Sequence, residues 1–253
     1  MFQLSCTMSV VDKWRDYVEN RGDPTYFIHW TNICKMEWEQ NNCWLSAVMA
    51  CMAASVPVFK LNQGSIILKT ISRLQERDRL LYTPREMLTD MFQEYGQNLD
   101  AMEMYDHMLE SDKLVGKYFG ILRDSNEPVG IYNPKFMKIY EDGVIKSTFR
   151  HRLKTAVPSV PIRHFCICIM CERTGHFVSV AELEQDYFFK DDRGTSKYKM
   201  SGICVFIDNH YHAVVRSGHN WVKLDQFTEN TIVGDFTETL ANARAFFFRR
   251  VFT

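Results

Sequence analysis

An α+β fold is the expectation for this chain, with helices in its front half and an antiparallel sheet in its back half. Two observations predict it. From Cys43 to Leu109 the apolar residues fall in helical runs bounded by capping residues. From Phe165 onward they fall in short aromatic and β-branched segments separated by turn residues. At 253 residues the chain can build one large domain or two lobes sharing a cleft. The period changes near residue 112, so a mainly helical lobe over 1–111 and a β-rich lobe over 112–253 are expected within a single domain, 1–253.

Taken in order, Val10 to Val18 is a short amphipathic segment. Arg21-Gly22-Asp23-Pro24 reads as a turn rather than an adhesion motif, and Thr25 to Trp30 as an aromatic strand. Cys43 to Ala54 suits a mostly buried helix, ended before Pro57 by proline's steric demand on its predecessor. Thr83, Pro84 and Glu86 mark another helix start, which Gly96 interrupts. Asp100 can cap a further helix, with Glu103 in the reciprocal position and an end near Leu109. Six strands follow: Phe165 to Ile169, Phe177 to Val180, Gly202 to Ile207, His212 to Arg216, Trp221 to Leu224 and Ala245 to Phe252.

Composition narrows the function classes. The formal charge of −1 gives no excess positive charge for phosphates, so no nucleic-acid partner is expected. No apolar stretch approaches membrane-spanning length, and no secretory pattern opens the chain. The eight cysteines therefore read as reduced cytosolic thiols.

Chemistry concentrates at Trp38-Glu39-Gln40-Asn41-Asn42-Cys43-Trp44. A thiol is a nucleophile only as thiolate, and Cys43 in the first turn of a helix faces unpaired N–H groups and the positive helix end. Cys51, further along the same helix, reads as a core thiol. The segments around His212 and Trp221 form a hairpin about Gly218-His219, which sets His212 opposite Asp225. Asp225 would then orient the His212 imidazole as a base for Cys43. His210 points to the same face if the strand extends that far, and competes for the role. The Cys43 N–H is the first oxyanion donor; the second is the Trp38 indole or an amide of Gln40, Asn41 or Asn42. Trp44 and Trp221 are the expected substrate-facing aromatics.

These blocks resemble papain-like cysteine proteases. Asn41-Asn42-Cys43-Trp44-Leu45 is similar to the nucleophile motif of coronavirus and torovirus papain-like proteases and of the foot-and-mouth disease virus leader protease. His212-Ala213-Val214-Val215 and Trp221-Val222-Lys223-Leu224-Asp225 resemble their histidine and aspartate strands, and Trp38 lies where coronavirus enzymes carry an indole oxyanion donor. Gly96-Gln97-Asn98-Leu99-Asp100-Ala101-Met102-Glu103 is similar instead to a helical motif of ubiquitin-specific proteases. Asn209-His210-Tyr211 resembles their Gly-His-Tyr, an alignment that makes His210 the base. The resemblance implies a papain-like fold with the site between two lobes, and a monomeric nidovirus-type enzyme in the host cytoplasm. It also implies cleavage of a viral polyprotein and removal of ubiquitin or ubiquitin-like modifiers from host proteins.

No cofactor is expected for that chemistry. Cys166, Cys168 and Cys171, with His164 and His176 nearby, have the ligand types for a structural zinc, but strand packing is the simpler reading. The alternative function is an inactive papain-like module that binds ubiquitin or a host protein.

Overall fold

A computed structural model describes residues 35–36, 42–56, 64–75, 81–82, 100–124, 140–141, 144–145, 156–158, 166–170, 179–191 and 194–251. The chain is a mixed α+β protein in which helices pack on a largely antiparallel sheet. The expected strand over 25–30, the turn at Arg21-Gly22-Asp23-Pro24 and the helix starting at Thr83 lie outside the described residues.

A short strand β1 (Lys35–Met36) precedes helix α1 (Cys43–Ser55), whose side chains are buried on nearly every face. That all-round burial is what its unbroken apolar sequence demands. The helix stops where the run before Pro57 predicts, with Val56 extended at φ −117° and ψ 153°. Gln75, at the end of α2 (Ile66–Leu74), satisfies buried carbonyls at the end of α1: its Nε2 donates to Ala53 O at 2.8 Å and Val56 O at 3.1 Å. Strand β2 (Leu81–Tyr82) pairs in parallel with β1.

Helix α3 (Ala101–Ser111) starts at Asp100, whose Oδ1 accepts the Met102 N–H at 2.7 Å, as an N-cap carboxylate should. A 3-10 turn at Val115–Lys117 leads into β3 (Phe119–Asp124). Then come β4 (Tyr140–Glu141), β5 (Val144–Ile145), β6 (Ala156–Pro158) and β7 (Cys166–Met170). Val180 does not end a strand, as its apolar neighbours suggested. It opens the short helix α4 (Val180–Leu183), because Ser179 and Glu182 form a capping box with Ser179 N–H to Glu182 Oε2 at 2.7 Å. The remaining elements are β8 (Asp186–Asp191), β9 (Gly194–Ile207), β10 (His210–Ser217), β11 (Asn220–Leu224), β12 (Thr231–Ile232), α5 (Thr237–Ala241) and β13 (Ala243–Val251).

The main sheet runs β12-β11-β10-β9-β13-β7-β3-β6, with β8 also on β9. Among its described pairs only β3 with β7 is parallel. One face, including Cys204, Tyr211, Ala213, Val215, Leu224 and Phe247, packs with α1, α2 and α3. Alternate residues, among them Ile203, Val205, Val214, Trp221, Phe246 and Phe248, form a second core with Leu183, Tyr187 and Leu240. Where α1 crosses β9, Gly202 meets Cys51: a Cβ there would lie 3.2 Å from its Sγ. Among the described residues no helix is long and apolar enough to cross a membrane.

Candidate active site

The two hairpins that carry the candidate base differ in their turns. Asp208 and Asn209 join β9 to β10 with φ of 50° and 60°. Two positive φ values are what a two-residue turn matched to strand twist requires, and short polar side chains tolerate them. The turn places His210 opposite Ile207, at the first residue of β10. Gly218, at φ 58°, belongs to the turn from β10 to β11, whose register runs from Ser217↔Asn220 to Ala213↔Leu224. Continued by one residue, that register sets His212 opposite Asp225, as the sequence spacing predicts.

The carboxylate nevertheless goes to the other histidine. His210 Nε2 lies 3.0 Å from Asp225 Oδ1, so the expected pairing of Asp225 with His212 is corrected. The cause is local. Asp225 lies just past the last residue of β11, and its Oδ1 also accepts the Phe227 N–H at 3.0 Å. This Asx-type bond turns the carboxylate forward along the chain, toward the level of residue 227 and away from that of residue 225. His210 is at that level: its ring lies 4.8 Å from the Phe227 ring, which is 62% exposed.

Electrostatics separate the two imidazoles further. Burial pushes the Asp225 carboxyl up, but the Phe227 N–H, His210 and Lys223 together hold it below its ordinary value. The Lys223 Nζ is 3.4 Å from Asp225 Oδ2. His212 is 6% exposed, and its buried Nδ1 has no hydrogen-bond partner among the described residues. Burial first, then Lys223 and His210, push its pKa down to about 4 against the weaker pull of Asp225. At neutral pH His212 is therefore an uncharged core imidazole. The His210 and His212 rings are stacked with centroids 6.5 Å apart.

Cys43 is the first residue of α1, half-buried and reduced. Asn42 precedes it; the Asn42 carbonyl accepts the Ser46 N–H at 3.0 Å, and no side-chain cap bond closes that end of the helix. The fully buried Asn42 side chain is instead turned to the acid's loop: its Oδ1 accepts Gln226 Nε2–H at 2.9 Å. Thus the residue before the thiol is bonded to the residue after Asp225. No thiol–imidazole hydrogen bond joins Cys43 to His210 or His212 among the described residues. Cys51 and Cys204 are core thiols, and burial, then the charges of Asp100 and Cys43, hold the Cys204 thiol well above its ordinary value.

The remaining candidates are placed as follows. Trp44 and Trp221, expected to face substrate, are core residues at 2% and 4% exposure, and Trp221 Nε1 donates to Glu184 Oε1 at 3.2 Å. Trp38, Gln40 and Asn41 lie outside the described residues, as do His164, Cys171 and His176 of the candidate zinc cluster. Cys166 and Cys168 are on β7, and no cluster of metal-ligand type occurs among the described residues.

Sequence reading missed a second link between the halves. Asp100, besides capping α3, accepts the Tyr211 hydroxyl on Oδ2 at 2.7 Å, which ties that helix to the strand between the two histidines. The signal for Asp100 was only its helix-capping position, which says nothing about its second oxygen.

No family model matches the chain, and no curated protein does. A solved structure described as an essential yeast splicing factor is similar in fold, with a TM-score of 0.50 over 89% of this chain and 72% of that one, at 9% identity. At that identity the likeness concerns the fold alone.

Proposed function

We propose that the chain is a papain-like thiol hydrolase that cleaves peptide or isopeptide bonds after a ubiquitin-type C-terminus, with Cys43 as nucleophile and His210 as base. The observation that carries this reading is the 3.0 Å bond between His210 Nε2 and Asp225 Oδ1. A carboxylate on Nε2 fixes the tautomer and leaves Nδ1 with the lone pair that a thiol proton needs. This assignment follows the ubiquitin-specific-protease alignment of Asn209-His210-Tyr211 rather than the leader-protease alignment of His212. The viral identity, the polyprotein substrate and the host-cytoplasmic setting rest on the sequence resemblance alone, as does the papain-like refinement of the α+β fold.

In the proposed reaction His210 Nδ1 takes the Cys43 proton and the sulfur attacks the carbonyl carbon. The oxyanion is met by the Cys43 N–H, with Trp38 as the second proposed donor. The tetrahedral intermediate collapses as imidazolium protonates the departing amine, leaving a thioester. His210 then deprotonates water, which attacks the thioester and returns the thiol and a carboxylate. Catalytic hydrogen bonds often close only in the substrate complex, so the open Cys43 geometry is compatible with this sequence of steps.

The test is reaction with a ubiquitin C-terminal electrophile, followed by turnover of a ubiquitin–amide substrate. An adduct at Cys43, absent in Cys43→Ala, is expected. His210→Ala should lower turnover by about 10²-fold or more, with His212→Ala milder. The opposite order would return the base to His212. Binding of ubiquitin with neither adduct nor turnover would identify an inactive binding module.

A further inference from the structure

We infer that Gln226 is a positioning residue, a single amide that holds the nucleophile's turn in register with the acid's loop. The inference rests on the proposed assignment of Cys43 and Asp225. Gln226 Nε2 makes two described bonds, to Asn42 Oδ1 at 2.9 Å and to the Met36 carbonyl at 3.2 Å. Met36, on β1, and Asn42, at the start of α1, flank residues 37–41, the segment with the candidate oxyanion donors Trp38, Gln40 and Asn41. One NH₂ group therefore fastens both ends of that segment to the residue following Asp225, 184 positions away from Asn42 along the chain.

The chemistry requires an amide. Asn42 Oδ1 and Met36 O are acceptors, and an NH₂ supplies one proton to each. A glutamate of the same shape supplies none and sets a third oxygen against two acceptors. The bridge also leads directly to the reacting groups, since Gln226 follows the carboxylate that orients His210 and Asn42 precedes the thiol. Small displacements of reacting groups are costly, about 10²-fold for 1 Å. Loss of the bridge should therefore act on the thiol and imidazole that react together more than on substrate affinity.

The experiment uses the full chain with Gln226→Leu and Gln226→Glu, the second keeping side-chain shape while removing both donors. The rate of iodoacetamide modification of Cys43 at neutral pH is followed by peptide mass mapping, beside kcat and KM on a ubiquitin–amide substrate. Wild-type Cys43 is expected to be alkylated at neutral pH and to turn over the substrate. Both variants should slow that alkylation and lower kcat by roughly 10- to 100-fold with KM nearly unchanged. A merely structural role would lower the melting temperature and leave the alkylation rate and kcat in place, and that result overturns the inference. Alkylation needs no ubiquitin, so the two readings fail separately. Unchanged alkylation and kcat in the variants with an active wild type remove the clamp alone. A wild type that neither alkylates at Cys43 nor turns over the substrate removes the nucleophile and the clamp together. Should Gln226→Leu not fold, Gln226→Glu decides by the same criterion.

Discussion

Replacing His212 with leucine should remove a pH dependence of stability that the wild-type fold carries. The imidazole is buried between β9 and β11, near Lys223, and its pKa is pushed down to about 4 by desolvation and that positive neighbour. An unfolded histidine titrates near 6.5. Between these values the unfolded chain binds a proton that the folded chain refuses, so folding stability falls as pH drops from about 6.5 to 4 and is flat above about 7. At about 1.4 kcal/mol per unit, the loss reaches roughly 2.5 kcal/mol by pH 4.5. The depressed Asp225 carboxyl has the opposite sense of shift. Its contribution is present above the unfolded carboxylate value and is lost as pH falls through the lower folded one, so it acts below this window. The assay is urea unfolding of wild type and His212→Leu at pH 4.5, 5.5, 6.5 and 7.5. The stability difference between the two should shift in favour of leucine by about 2.5 kcal/mol from the highest pH to the lowest. Parallel curves would refute the reasoning, because they would mean His212 is charged as readily in the fold as outside it.

Two further outcomes test the packing that presents the site. Tyr211→Phe removes the hydroxyl donor to Asp100 and should cost about 1.5–3 kcal/mol in denaturant unfolding; Asp100→Ala should cost more, since it also removes the cap of α3. Gly202→Ala should cost about 1–3 kcal/mol, because its Cβ would meet Cys51 Sγ at 3.2 Å and the backbone Cα at 3.4 Å. A double-mutant cycle with Cys51→Ala should recover part of that loss by removing the sulfur.

Much of the local structure was legible in the chain itself. The apolar run from Cys43 predicts a buried helix, and Pro57 predicts its end; the structure has Cys43–Ser55 with Val56 extended. Asp100 caps the helix that its position predicts, and Gly218-His219 sets the expected register of β10 on β11. These are consequences of steric and hydrogen-bonding preferences acting within a few residues. Ser179-Val180-Ala181-Glu182 carries an equally local signal, a capping box that makes Val180 the start of a helix where the apolar residues predict the end of a strand.

The sequence by itself determined the helices that begin at Cys43 and Asp100, the hairpin of β10 and β11, the α+β class and the face of β10 that bears both histidines. Only tertiary structure decided that Asp225 takes His210 and leaves His212 as a buried neutral ring, since residues two apart on a strand are equivalent by periodicity. Packing set the depth at which each imidazole lies, and the Asx bond to Phe227, itself local, then aims the carboxylate at the shallower His210. The insertion of β13 between β9 and β7, and the bridge from Gln226 to Asn42, were likewise decided at long range. Spacing along a chain encodes direction within an element, whereas partners as far as 190 positions apart are selected by burial and by the pairing of polar groups that burial compels.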